Sequence, residues 1–207
     1  MGARAWSPSS TWSESIAAAF EERLRRARHK SQYLRIQAHA LAASQPKVAL
    51  NLLERYFSLE ENFDMAQAHC DRAVALAALE RPDDAVAAYE AALAREATYP
   101  HVKTEAYVDL PYLVATHKLS FYYARAQDVL ETFAVRLVFP IEHFKWHAAN
   151  AIISAAKSSF ALASSEAKMA LTHAARTRSG FARHPELGLV GAAHQTIIRT
   201  LEVLADA

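Results

Sequence analysis

The chain has 207 residues, a formal net charge of +1 and 52% apolar residues, with 45 alanines and only four glycines. Alanine is the best helix former and glycine a poor one, so this composition predicts an all-α protein with a substantial core. The near-neutral charge excludes a globally basic nucleic-acid binder, and no apolar run approaches the length of a transmembrane helix. A single cysteine and a start without an apolar signal segment predict a cytoplasmic protein.

The beginning of the chain predicts a short disordered segment followed by a leading helix. Residues 1–10 (MGARAWSPSS) have no hydrophobic periodicity, so we predict that they are disordered. Thr11 and Glu14 match a capping box, in which a hydroxyl and a carboxylate satisfy the first free amides of a helix. A helical pattern then continues to about residue 44 with a break near Lys30, and it ends before Pro46.

The middle of the chain contains an internal repeat. The stretch QPKVALNLLERYF (45–57) aligns with RPDDAVAAYEAAL (81–93) at an offset of 36 residues, and weaker copies surround Ala126 and Ala163. Another apolar-periodic segment precedes each copy, at about 31–43, 65–79, 103–119 and 142–156. Helix pairs that recur every 34–41 residues are typical of a solenoid, in which stacked pairs bury a continuous core.

The best copy, RPDDAVAAYEAALAREATYP, resembles the second helix of a tetratricopeptide repeat. The resemblance rests on Ala85, on Tyr89 four residues later, on the pair Ala92 and Leu93, and on Pro100. It implies an αα-hairpin solenoid with a right-handed superhelix, in which the first helix of each pair lines a concave groove.

The end of the chain predicts closure of the array. Arg176 and Arg178 are expected in the last turn of a helix that Gly180 caps in a left-handed conformation. Residues 189–205 form an amphipathic pattern, which we interpret as a capping helix or as a surface that joins two copies into a homodimer. We therefore predict a single domain over residues 11–207, with about four helix pairs.

The resemblance also implies a function, which is binding of a protein or peptide in the groove. Carried over by position, the groove residues are Arg35, Gln67, Asp71, Tyr112 and Lys145. Their side chains would form hydrogen bonds and ion pairs with an extended or helical segment of the partner. The sequence has no glycine-rich phosphate loop and no fixed pair of carboxylates, so we predict a binding module without a cofactor rather than an enzyme.

Two alternatives stay open. The basic tract Arg23–Lys30 is suited to nucleic acid or an acidic partner, although Glu21 and Glu22 precede its arginines in the order that favours ion pairs within a helix. His143 and His147 have the i, i+4 spacing of metal ligands, which is compatible with a metal-dependent enzyme. However, the sequence identifies no third ligand, so we expect a structural role for this histidine pair.

The single cysteine gives no further alternative. Cys70 follows His69 directly, and adjacent helical residues point about 100° apart, so the imidazole does not face the thiol. We therefore expect Cys70 to be a small buried or groove-facing residue rather than a nucleophile.

Overall fold

The computed structural model describes residues 6–59 and 63–207, and all regular structure in these two ranges is helical. The prediction of an all-α protein is therefore confirmed. Three short 3₁₀ segments accompany the α-helices. The ten helices of the described chain are α1 Glu14–Arg26, α2 Lys30–Leu41, α3 Pro46–Phe57, α4 Met65–Ala78, α5 Pro82–Thr98, α6 Ala106–Thr116, α7 Tyr123–Phe133, α8 Pro140–Ala156, α9 Phe160–Ala174 and α10 Gln195–Ala205.

Proline marks the start of three of these helices. Pro46, Pro82 and Pro140 each occupy the first turn, where the missing amide hydrogen costs no helical hydrogen bond. The break predicted near Lys30 is present between α1 and α2. The cap of α1 differs from the prediction, because the hydroxyl of Ser13, not that of Thr11, accepts the Ile16 amide at 3.3 Å.

The same turn closes three successive helix hairpins. Glu80, Lys118 and Ser158 follow α4, α6 and α8 with φ values of 56°, 55° and 60°, although none of them is glycine. In each turn the next amide donates to a carbonyl five residues earlier: Arg81 to Leu76 at 3.0 Å, Leu119 to Val114 at 3.0 Å, and Ser159 to Ser154 at 2.9 Å. This bond is the mark of a left-handed helix cap. The three caps recur at intervals of 38 and 40 residues.

The described chain divides into two compact units, whereas the sequence predicts one domain over residues 11–207. Unit 1 ends at Ala106 and unit 2 begins at Tyr107. In unit 1, the pairs α2–α3 and α4–α5 pack as hairpins, and α3 packs against α4. Alanines provide many of the buried positions, because a small side chain lets neighbouring helices approach closely.

The described part of the segment predicted to be disordered packs on unit 1. Residues 1–5 lie outside the described residues, but the Trp6 ring lies 4.7 Å from that of Tyr33. The buried amide of Gln37 fixes the same segment, since it accepts the Ser9 amide at 3.1 Å and donates to the Ser9 carbonyl at 2.8 Å. Residues 6–10 are therefore held by both apolar and polar contacts.

Unit 2 is centred on the hairpin of α8 and α9, against which α10 packs. The buried core of these helices includes Phe144 and Leu201. Gly180 adopts φ 92°, but it lies beyond the end of α9 at Ala174, so it is not the helix cap that the sequence suggests. The final helix begins at Gln195 rather than near residue 189.

Two further observations complete the fold. Pro111 lies inside α6, five residues after the helix starts at Ala106. Over residues 6–59 and 63–207, no helix combines the length and the hydrophobicity that crossing a membrane requires.

Candidate functional site

Three of the five predicted groove residues come together in unit 1, around one buried carboxylate. Asp71 on α4 is only 2% exposed, and its Oδ1 accepts the Gln67 side-chain amide at 3.2 Å. From α2, Arg35 Nη1 lies 3.6 Å from Asp71 Oδ2, and Arg35 Nε donates to Asp64 at 3.3 Å. We call the residues Arg35, His39, Asp64, Gln67 and Asp71 the Asp71 network.

A histidine that the sequence analysis does not single out completes this network. His39 Nδ1 lies 2.7 Å from Asp71 Oδ1, although the His39 side chain remains 64% exposed. The hydrogen bond to Asp71 raises the pKa of His39, and this effect exceeds the lowering caused by burial. The carboxylate of Asp71 therefore connects α2 with α4 through contacts to an arginine, an amide and a histidine.

The other two predicted groove residues lie in unit 2, each with a partner. Lys145 Nζ on α8 donates to Asp109 on α6 at 2.6 Å, and both side chains are less than a fifth exposed. The Tyr112 hydroxyl lies 2.8 Å from His194 Nδ1, and burial raises the pKa of Tyr112 far above its ordinary value. The structure thus brings the five predicted residues into two separate sets, and each residue bonds within the chain.

The two ion pairs share a separation in the sequence. Asp109 and Lys145 are 36 residues apart, as are Arg35 and Asp71, and each pair joins the first helices of neighbouring hairpins. This separation equals the offset of the best internal repeat, 36 residues between Pro46 and Pro82. Opposite charges one repeat apart on first helices are the signal in the sequence that could have predicted these partners.

The basic tract is not one continuous stripe. Arg23 and Arg26 belong to α1, whereas Lys30 begins α2 after the break between the two helices. Arg25 and Arg26 both pair with Glu22 on the exposed face of α1. Glu21 instead forms two hydrogen bonds with Arg55 on α3, at 2.6 and 3.0 Å. Glu22 therefore balances part of the positive charge of this tract, whereas the charge of Glu21 is engaged by Arg55 outside the tract.

The histidine pair on α8 gains a third member from α9. His143, His147 and His173 each place one ring nitrogen so that the three atoms lie within 4.8 Å of one another. The rings stack nearly parallel, with centroids 4.5 Å apart for His143 and His173 and 5.6 Å apart for His147 and His173. We call these three residues the histidine cluster.

The surroundings of the histidine cluster lower the pKa of two of its rings. Burial, helped by the neighbouring histidines and Arg176, lowers the pKa of His173 to about 4. Burial also lowers the pKa of His143. His147 Nδ1 is paired with Glu166 Oε2 at 2.7 Å, whereas His173 Nδ1 is buried without a hydrogen-bond partner.

Cys70 is 5% exposed on α4, as expected for a small buried residue. The ring of its neighbour His69 contacts that of Phe57 at a tilt of 31°, with centroids 4.7 Å apart.

Comparisons of the chain with protein-family models, with characterised proteins and with solved structures gave no significant match.

Proposed function

We propose that this chain is a helical-hairpin repeat protein of the tetratricopeptide type, and that it binds a protein or peptide along the first helices of its hairpins. The observation that carries the proposal is the identical left-handed turn at Glu80, Lys118 and Ser158. A turn repeated with the same hydrogen bonds is expected where one supersecondary unit is used several times. Such proteins use their regular surface for binding rather than for chemistry.

The ion pairs between first helices add a second, weaker support. Arg35 with Asp71, and Asp109 with Lys145, hold neighbouring first helices side by side within their units. Because these side chains are already bonded, we assign them to the scaffold of the binding surface rather than to direct partner contacts. We assign the contacts to exposed neighbours such as Val74, which lies three residues after Asp71 on α4.

The single cysteine fits a reducing compartment, so we extend the proposal to a cytoplasmic location.

A matched pair of charge insertions tests this surface. Val74→Glu places a carboxylate on the exposed face of α4, the first helix, and Ala87→Glu places one on the exposed face of α5, the second helix of the same hairpin. Proteins captured from the source cells by the unmodified chain should be released by Val74→Glu and retained by Ala87→Glu. Release by Ala87→Glu alone would move the surface to the second helices and contradict the proposal.

The same capture experiment also tests the alternative that the Arg23–Lys30 tract binds nucleic acid. If the chain captures only nucleic acid, with an affinity that falls steeply as salt increases, the Arg23–Lys30 tract replaces the hairpin surface as the binding site.

A further inference from the structure

The strongest unexplained feature of the molecule is the histidine cluster, in which two adjacent helices direct three imidazoles to one place. His143 and His147 share a face of α8 because four residues make about one helical turn. His173 comes from the last turn of α9, the helix that packs along α8 as its hairpin partner. The cluster thus rests on two rigid, well-packed elements rather than on loops.

The cluster contains a buried polar atom without a partner. His173 is 7% exposed, and its Nδ1 makes no hydrogen bond. Leaving a buried polar atom unsatisfied costs about 1–3 kcal/mol, so each such atom calls for an explanation. His69 Nδ1 and Asp71 Oδ2 in unit 1 are also buried without a hydrogen-bond partner, but among the described residues only His173 belongs to a group of three possible metal ligands. The same indication comes from the position of His173, where a leucine side chain would fill a buried site at less cost.

The side chain of Glu166 supports one ring of the cluster. Its carboxylate accepts the Nδ1 hydrogen of His147 at 2.7 Å, which leaves Nε2 of that ring available as a ligand atom. A carboxylate that orients a histidine and increases its basicity is the usual outer partner of a metal ligand.

We propose that His143, His147 and His173 bind one zinc ion, with the fourth coordination position open to water or to an external ligand. Three imidazoles without a thiolate suit a borderline ion such as zinc and do not suit magnesium or calcium, which require oxygen ligands. Neutral rings are the form that binds a metal, and burial lowers the pKa of His143 and His173 accordingly.

Binding requires a small adjustment of the three side chains. Nitrogens bound to zinc at about 2.0–2.1 Å in a tetrahedral site lie about 3.3 Å apart, so the ligand atoms must approach by up to about 1.5 Å. The rings must also rotate out of their present stack, so that the three nitrogens point to one ion. Arg176 is the positive charge that faces His143 and His173, while Glu142 and Glu166 provide negative charge nearby.

Calorimetric titration of the metal-free protein with zinc chloride tests the proposal, with magnesium chloride as the comparison ion. We expect one zinc per chain, no magnesium binding, and an increase in melting temperature with zinc. His173→Leu should lose at least about 100-fold in zinc affinity, and Glu166→Gln should lose about 10–100-fold. His101→Leu, at an exposed histidine of unit 1, is the matched control and should bind as the unmodified chain does.

Several results would overturn the site. They are an unmodified chain that binds no zinc, a His173→Leu variant within threefold of the parent affinity, and a loss in His101→Leu equal to that in His173→Leu. Circular dichroism of each variant checks that the helices are intact, so a loss of binding cannot be due to unfolding.

Trp146 provides an independent readout of where the metal lies. Its ring is 4.9 Å from that of His147, and it is the only tryptophan left when Trp6 and Trp12 are replaced by phenylalanine. In that double variant, Cu²⁺ should quench Trp146 fluorescence, and excess zinc should reverse the quenching. Quenching that persists in His173→Leu at the same Cu²⁺ concentration would contradict the assignment.

Discussion

The two units each place titratable side chains between packed helices, but these side chains are hydrogen-bonded to different degrees. In unit 1, the buried Asp71 bonds through Oδ1 to side chains from α2 and α4, while its Oδ2 accepts no hydrogen bond and has Arg35 at 3.6 Å as its counter-charge. In unit 2, three imidazoles stack on one another and His173 Nδ1 has no partner, so the group costs stability. We expect a group bonded to partners from two helices to serve the fold, whereas a cluster of three possible metal ligands with an unbonded buried nitrogen indicates a function.

The largest expected effect comes from removing the centre of the Asp71 network. Asp71→Leu should lower the free energy of unfolding of unit 1 by about 3 kcal/mol, because His39 and Gln67 lose their shared acceptor and Arg35 keeps only Asp64 as a counter-charge. Urea unfolding followed by regional hydrogen exchange measures the loss. Asp84→Leu is the control, since Asp84 pairs with Arg81 on the surface and both side chains are 54% exposed. It should lose about 1 kcal/mol or less. Equal losses would remove the distinction between the network and a surface pair.

The pH dependence of unit 2 should give the next largest effect. The pKa of His173 falls from an ordinary value of 6.5 to about 4 in the folded chain, so below pH 6.5 the unfolded chain binds more protons. Unit 2 should therefore lose about 2–3 kcal/mol of metal-free stability as the pH falls from 6.5 to 4. Urea midpoints read from Trp146, with Trp6 and Trp12 replaced by phenylalanine, measure this. A flat profile over that range would contradict the effect of burial.

Unit 1 should respond to pH with the opposite sign. The pKa of His39 is raised by Asp71, so its contribution is fully present below pH 6.5 and is lost as the pH rises through the raised pKa. Replacement by glutamine, His39→Gln, should therefore destabilise unit 1 more at pH 6 than at pH 8. Because His39 is largely exposed, the difference should be smaller than the effect in unit 2. If His39→Gln destabilised unit 1 equally at pH 6 and pH 8, the charge of the imidazole would contribute nothing to stability.

A smaller effect is expected when the unpartnered histidine is replaced by an apolar residue. In metal-free protein, His173→Leu should raise the stability of unit 2 by about 1 kcal/mol, because no hydrogen bond is lost and a buried polar atom is removed. Thermal unfolding in the presence of a chelator measures the gain. A loss of stability would mean that His173 already serves the fold, as Asp71 does.

The smallest effect is expected at the left-handed turns, which occur in both units. Glu80→Gly in unit 1 and Ser158→Gly in unit 2 should each raise stability by about 0.5–1 kcal/mol, because glycine adopts a positive φ without steric cost. Ser159→Gly, at a neighbouring residue with φ −91°, is the control and should give no gain. Gains that differ greatly between the two turns would show that the turns are not equivalent.

The sequence predicts the helices well and their side-chain partners poorly. Abundant alanine, scarce glycine and the prolines at 46 and 82 are local signals, and the helices that they predict are present. The cap at Ser13 was missed because Thr11 and Ser13 offer the same hydroxyl two residues apart. Local patterns cannot choose between such close candidates.

The candidate sites depend on contacts between distant residues. His173 is 26 residues from His147, and only the register of α9 against α8 decides that it joins the pair. The groove residues illustrate the same limit, since the sequence places Arg35 and Asp71 on first helices but does not show that they bond to each other. Their separation by one repeat is the one clue, and it gains meaning only when the pairing of the helices is known.

The left-handed turns have a consequence for how the history of this chain could be traced. Glutamate, lysine and serine occupy the equivalent positions 80, 118 and 158, so the residue types at these positions give no sign of a common origin. The backbone torsion angles and the five-residue hydrogen bond are nevertheless alike at all three. If the hairpins descend from one duplicated segment, conformation has outlasted residue identity as the record of that duplication. Searches for related chains should then compare torsion angles at hairpin turns, where amino-acid alignment no longer carries the signal.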